Sequence, residues 1–148
     1  METKEGLTDD FQRCVDFHGH VCGGLAMGYR ASTAALGWLQ AHRALDEELV
    51  AIVENDACGV DAVQVLTGCT FGKGNFIFRD YGKMAFTFFS RKTGKGVRLA
   101  LVHRPGAGLS DEQKALFEKK QNHTATDEEL VRRDQLGKQK ALENLGLP

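Results

Sequence analysis

At 148 residues the chain is long enough for one domain that buries a full core without disulfide staples. A content of 42% hydrophobic and 26% charged residues is that of ordinary globular proteins, and a formal net charge of −1 excludes the strongly basic class that coats nucleic acid or anionic membrane surfaces. No stretch approaches the roughly 18 apolar residues of a spanning helix, and Met1 to Asp10 carries acids without an apolar run, so a cytoplasmic protein with no secretory signal is expected. In that reducing compartment Cys14, Cys22, Cys58 and Cys69 read as metal-binding, catalytic or buried thiols rather than as a disulfide framework.

The patterning predicts a short helix over Leu7 to Asp16 and a longer one from about Val21 to Gln40. Gly24, Gly28, Ala31 and Ala35 recur at helical spacing on the second and form a smooth ridge for close core packing. Leu49 to Val53 is continuously apolar, the pattern of a strand buried on both faces. A short amphipathic helix follows from Cys58 to Leu66, stopped by Gly68. Phe76 to Phe78, Met84 to Phe89 and Val97 to Val102 are aromatic and β-branched segments separated by turn residues, read as a three-stranded antiparallel meander. Ser110 with Gln113 and Thr126 with Glu129 are spaced as capping boxes, so two helices should close the chain between about 110 and 145. The charges of the last helix read as a solvated face, with a dimer contact as the alternative. The result is a single α+β domain over residues 1–148, with its core at about 8–103 and two C-terminal helices.

Two imidazoles and a thiol fall within five positions in His18-Gly19-His20-Val21-Cys22, just where the second helix begins. His18 and Cys22, four apart, would share a face of an early helix; alternatively Gly19 lets the chain bend so that His20 converges with them. The helix start should favour the Cys22 thiolate. The plainer reading, two hydrogen-bonded loop histidines, leaves the adjacent thiol unexplained. Cys58 stands between a buried strand and a helix start, where side chains point into an open crevice, and is the first choice for a metal ligand or a reactive thiolate. Asp56 and Asp61 are candidates for orienting a ligand or acting as a base, with helix capping the commoner use of Asp56. In Gly68-Cys69-Thr70-Phe71-Gly72-Lys73-Gly74-Asn75 the spacing departs from a phosphate loop; Lys73 is either a contact to an anionic ligand or part of a connector. Cys14 reads as a small core residue, His42 and His123 as surface residues, and His103 as a strand-end residue whose place relative to that crevice the sequence leaves open.

Taken together, Phe17-His18-Gly19-His20-Val21-Cys22, Glu54-Asn55-Asp56-Ala57-Cys58-Gly59-Val60-Asp61-Ala62-Val63-Gln64 and Thr67 to Asn75 resemble the FmdE family, proteins similar to the FmdE component of formylmethanofuran dehydrogenase. The resemblance extends to about residue 103. It implies an α+β fold with a mixed sheet of about four strands and flanking helices, related in architecture to the catalytic domain of glyceraldehyde-3-phosphate dehydrogenase. It also implies a homodimer and a metal site near His18, His20, Cys22, Cys58 and Cys69. The chain departs from the family pattern at Gly23, where proline is common, and has no cysteine after Cys69, so the zinc ribbon that some members append is not expected in these residues. Nothing in the chain resembles a molybdopterin or iron–sulfur segment, so the dehydrogenase reaction is not carried over.

Three readings follow. The first is a metal-binding accessory or metal-handling protein for zinc or a related divalent transition metal. The second is an enzyme, with a small-molecule ligand, that uses a metal-bound water or Cys58 as nucleophile. A thiol redox switch through Cys58 ranks third, because no C-x-x-C pair exists.

Overall fold

The computed structural model describes residues 7–102 and 108–145, which form five helices and four strands. In chain order these are α1 (Asp9–His18), α2 (Gly23–Leu39), β1 (Leu49–Val53), α3 (Gly59–Thr67), β2 (Phe76–Phe78), β3 (Ala85–Ser90), β4 (Gly96–Ala100), α4 (Asp111–Gln121) and α5 (Asp127–Asn144). No helix among the described residues is long and apolar enough to cross a membrane. His103 lies outside the described residues.

The expected α+β architecture with a mixed four-stranded sheet is present, but the meander is not. The strand order is β2-β1-β3-β4: β1 pairs parallel with β2 and antiparallel with β3. A parallel pair needs a crossover, and α3 supplies it, so β1, α3 and β2 form a β-α-β unit. The three-residue β2 pairs at three positions, whereas β1 offers β3 a register of five, from Leu49 opposite Ser90 to Val53 opposite Phe86. The longer apolar strand therefore takes the centre, and β2 is displaced to the edge.

Full burial of β1 on both faces is also corrected. Leu49, Ala51 and Val53 are buried, while Val50 and Ile52 are only half-buried, because the helices pack against one face of the sheet. That covered face joins Ala35 and Leu39 of α2 to Phe86 and Phe88 of β3 and Val63 of α3. A second cluster gathers Phe11, Cys14 and Val15 of α1, Leu25 of α2, and Ala62 and Leu66 of α3. Cys14 is completely buried there, as expected of a core thiol, and burial raises its pKa to about 11.

Helix α3 belongs to both clusters, and its closeness to α2 sets up the site. The small-residue ridge of α2 faces it: a Cβ on Gly28 would stand 2.1 Å from the Gly59 carbonyl oxygen, and one on Gly24 would stand 3.1 Å from Cys58 Cβ. Only glycine permits that approach at position 28. Both expected capping boxes form, at Ser110 with Gln113 and at Thr126 with Glu129. The α4–α5 hairpin is held by Arg132, bidentate to Glu112 at 2.8 and 3.2 Å, and by the Lys119–Glu129 pair. Its α5 packs against α2, with Ala141 fully buried.

Candidate metal centre

Thr8 caps α1 and Gly19 ends it. Gly19 adopts φ 100°, a left-handed conformation open to glycine, and its N–H donates to the Val15 carbonyl at 2.7 Å. The turn separates the histidines from α2, so His18 and Cys22 do not share one helix face. The bend instead makes His20 converge with them: the His18 and His20 rings lie 4.5 Å apart. Cys22 then caps α2 in an extended conformation, its Sγ accepting from the Leu25 N–H at 3.5 Å. Cys58 arrives from the other side. Beyond β1, the Asn55 side-chain oxygen accepts from the Ala57 N–H at 3.0 Å, and Cys58 takes the N-cap position of α3.

The close α2–α3 contact brings these segments together. Ligand atoms of His18, His20, Cys22 and Cys58 all lie within 4.8 Å of one another. His18 Nε2 is 3.8 Å from Cys22 Sγ. Ligand bonds of 2.0–2.3 Å in a tetrahedron put neighbouring donor atoms about 3.3–3.8 Å apart, so a small contraction of this group would enclose a zinc-sized ion. Asp61, in the first turn of α3, accepts from His18 Nδ1 at 2.6 Å. The carboxylate leaves the proton on Nδ1 and Nε2 bare toward the thiols, the tautomer a metal ligand requires.

Cys22 departs from expectation in its electrostatics. Burial pushes its thiol pKa up, and the nearby Cys58 adds to this, while the Leu25 N–H pulls the other way. In the protein without a cation, desolvation therefore outweighs the helix start.

The other sequence candidates lie elsewhere. Cys69 is fully buried in the sheet-side core with its pKa raised by burial, and stands outside the group of four. Its position just beyond the α3 C-cap, under β1, removes it from the helix starts where the other donors converge. Lys73 Nζ donates to the carbonyls of Ala44 and Leu45 at 3.1 and 3.4 Å, which makes it a loop tie. Asp56 is exposed and does not cap α3, whose N-cap is Cys58. The glycine-rich segment is a connector stitched by Asn75, whose buried side chain bonds Asp46 O, Leu49 O and Thr70 N. That role of Asn75 escaped the sequence reading, as did a cleft of about 930 Å³ that runs from Cys22 and Cys58 to the α4–α5 hairpin. Phe117, an exposed aromatic residue beside the buried Leu116 in a mostly polar helix, was the available signal for the cleft.

Comparison with known proteins gives the following. A protein family described as "FmdE, Molybdenum formylmethanofuran dehydrogenase operon" matches residues 17–145. A protein of Archaeoglobus fulgidus called "Probable S-adenosyl-L-methionine-binding protein" is 43% identical over 97 residues, 63% of this chain and 26% of that one. A solved structure of a tungsten formylmethanofuran dehydrogenase FmdE-like protein from Syntrophus aciditrophicus superposes with a TM-score of 0.53 at 25% identity, covering 85% of this chain and 64% of that one. The chain thus spans about a quarter of the curated relative and under two thirds of the solved one. Kinship with the glyceraldehyde-3-phosphate dehydrogenase catalytic domain is not supported; the fold likeness found is to an FmdE-like protein.

Proposed function

The chain belongs to the FmdE family, and from that premise we propose that it is a metal-binding protein in which His18, His20, Cys22 and Cys58 hold one zinc-like divalent ion. The supporting observation is the convergence of two imidazole and two thiol donors within 4.8 Å, with His18 oriented by Asp61. Mixed nitrogen and sulfur donors in a tetrahedral group suit zinc better than oxygen-seeking magnesium or calcium. A zinc ion there would act as a Lewis acid or a structural clamp. Four protein donors favour the accessory or metal-handling role, in a cytoplasmic homodimer. The support for a dimer is the partly exposed apolar sheet face carrying Val50, Ile52, Ile77 and Phe89, which is available to a second copy.

The test is metal content by plasma mass spectrometry on protein purified without a histidine tag or added metal, beside a Cys58→Ala variant. About one equivalent in the first and a loss in the second supports the reading; no transition metal in either overturns it.

One observation favours a second reading, an enzyme: the cleft opens on the side of the group that holds His20, Cys22 and Cys58. In that reading Cys58 is a nucleophile or a ligand beside an exchangeable position, and alkylation of Cys58 in chelator-treated protein at a rate well above that of a free thiol such as glutathione would support it. The dehydrogenase reaction of the complex that gives the family its name is not carried over. Binding of S-adenosyl-L-methionine, attributed to a relative of which this chain spans 26%, is testable by equilibrium dialysis against the same preparations.

A further inference from the structure

We propose that the cleft between the start of α2 and the α4–α5 hairpin is a binding site for a small organic anion, its apolar body lying on Phe117 and Val131 and its negative group drawn to the lysine lining, Lys120 toward one end and Lys138 toward the other. The proposal deepens the metal reading, since the cleft reaches His20, Cys22 and Cys58, but its test does not depend on a metal being present.

Three exposed apolar side chains converge on this one cleft: Leu109, Phe117 and Val131, which are 37%, 50% and 57% exposed. Left to water they cost free energy; a ligand body of matching size would cover them. At about 930 Å³ the space lies within the range of small-molecule sites. Its charged lining comprises Lys120, Lys138, Arg133 and Asp134, and the last two bond each other at 2.9 Å. The balance is therefore two lysines. Gly23 and Gly24, the first residues of α2, also line the cleft, where helical N–H groups have no partner within the helix. That excess of positive charge favours an anionic occupant over a neutral or cationic one.

The experiment is a titration of the ¹⁵N-labelled full chain with benzoate, phenyl phosphate and neutral benzyl alcohol, followed by amide shifts, on zinc-loaded and on chelator-treated protein. The variants are Lys120→Gln/Lys138→Gln and, as a control away from the cleft, Lys114→Gln; all three lysines are exposed, so folding should be retained. At least one anion is expected to shift Gly23, Gly24 and Gly137 saturably and more tightly than the alcohol. The double variant should bind about tenfold more weakly, the scale of a lost charge-assisted contact, while the control is unchanged. Whether benzoate or phenyl phosphate binds more tightly identifies carboxylate or phosphate as the preferred group. Binding retained in chelator-treated protein supports the cleft whatever the metal measurement gives. The proposal is overturned if neither anion shifts those amides in either preparation, or if the double variant binds as tightly as the parent.

Discussion

Asp61 and His18 stand 43 residues apart in the chain and are joined by one hydrogen bond, Nδ1–H to Oδ2, at 2.6 Å. The bond links the last residue of α1 to the first turn of α3. It fixes the imidazole plane and leaves Nε2 bare toward Cys22, so the ring need not choose a rotamer or tautomer when a cation binds. Asp61→Ala should therefore weaken zinc affinity by about 10- to 100-fold, read by competition with a chromophoric chelator. Asp61→Asn keeps an acceptor but loses the charge, and should fall between. Affinity unchanged in Asp61→Ala would sink the orienting role.

Gly28 tests how the helices make the site. An added Cβ would meet the Gly59 backbone at 2.1 to 2.6 Å, contacts that backbone cannot relieve without moving a helix. Gly28→Ala is expected to lower stability by about 3 kcal/mol, measured by urea denaturation, through forced separation of α2 from α3. Separation also draws Cys22 from Cys58, so metal retention should fall in protein that is still folded. Gly37→Ala is the control, since a Cβ there meets nothing within 4 Å. If both variants held metal equally well, the α2–α3 contact would not be what assembles the group.

These two relationships show what was legible in the chain and what was not. Cys22 and Cys58 announced themselves because each sits at a helix start beside further donors, and helix starts are readable from glycine placement and hydrophobic period. Leu49–Val53 was readable to the residue as an unbroken apolar run of strand length. Its neighbours were not: a run of apolar residues does not say that β2 pairs on one side of it and β3 on the other, because the parallel pairing with β2 depends on the crossover through α3. Cys69 looked like the other cysteines in sequence, yet its place under β1 follows from tertiary packing. The cleft required the α4–α5 hairpin to fold back toward α2, a long-range contact that no local pattern encodes.

The four free cysteines should separate cleanly in their reactivity. Cys14 is fully buried with a pKa raised to about 11, and Cys69 is fully buried with its pKa pushed up by desolvation. Neither offers an accessible thiolate at neutral pH. In native, chelator-treated protein, iodoacetamide should label the half-buried Cys58 and, more slowly because burial raises its pKa, Cys22, with Cys14 and Cys69 joining only in denaturant. Zinc added beforehand should protect the first pair. Peptide mapping that found Cys14 or Cys69 labelled at the native rate of Cys58 would contradict the burial described.

Glu54 carries a pH dependence that lies outside the metal group. Its side chain, at the end of β1, is bonded bidentately by Arg98 of β4 at 2.8 and 3.1 Å. Those hydrogen bonds lower its pKa below the ordinary carboxylate value, with the positive charge of Lys83 adding in the same direction. A folded-state pKa below the unfolded one means the folded protein binds the proton less readily. The pair's stabilisation is then complete above the unfolded value of about 4.3 and is lost as pH falls through the lowered folded value. Glu54→Gln should consequently melt below the parent at neutral pH, and the two melting curves should draw together on acidification below about pH 4. Arg98→Met, which leaves the buried carboxylate without its partner, should cost at least as much at neutral pH and shift in the same direction with acid. A gap between parent and Glu54→Gln that stays constant across that acid range would show that the ion pair is not what ties β1 to β4 at this end of the sheet.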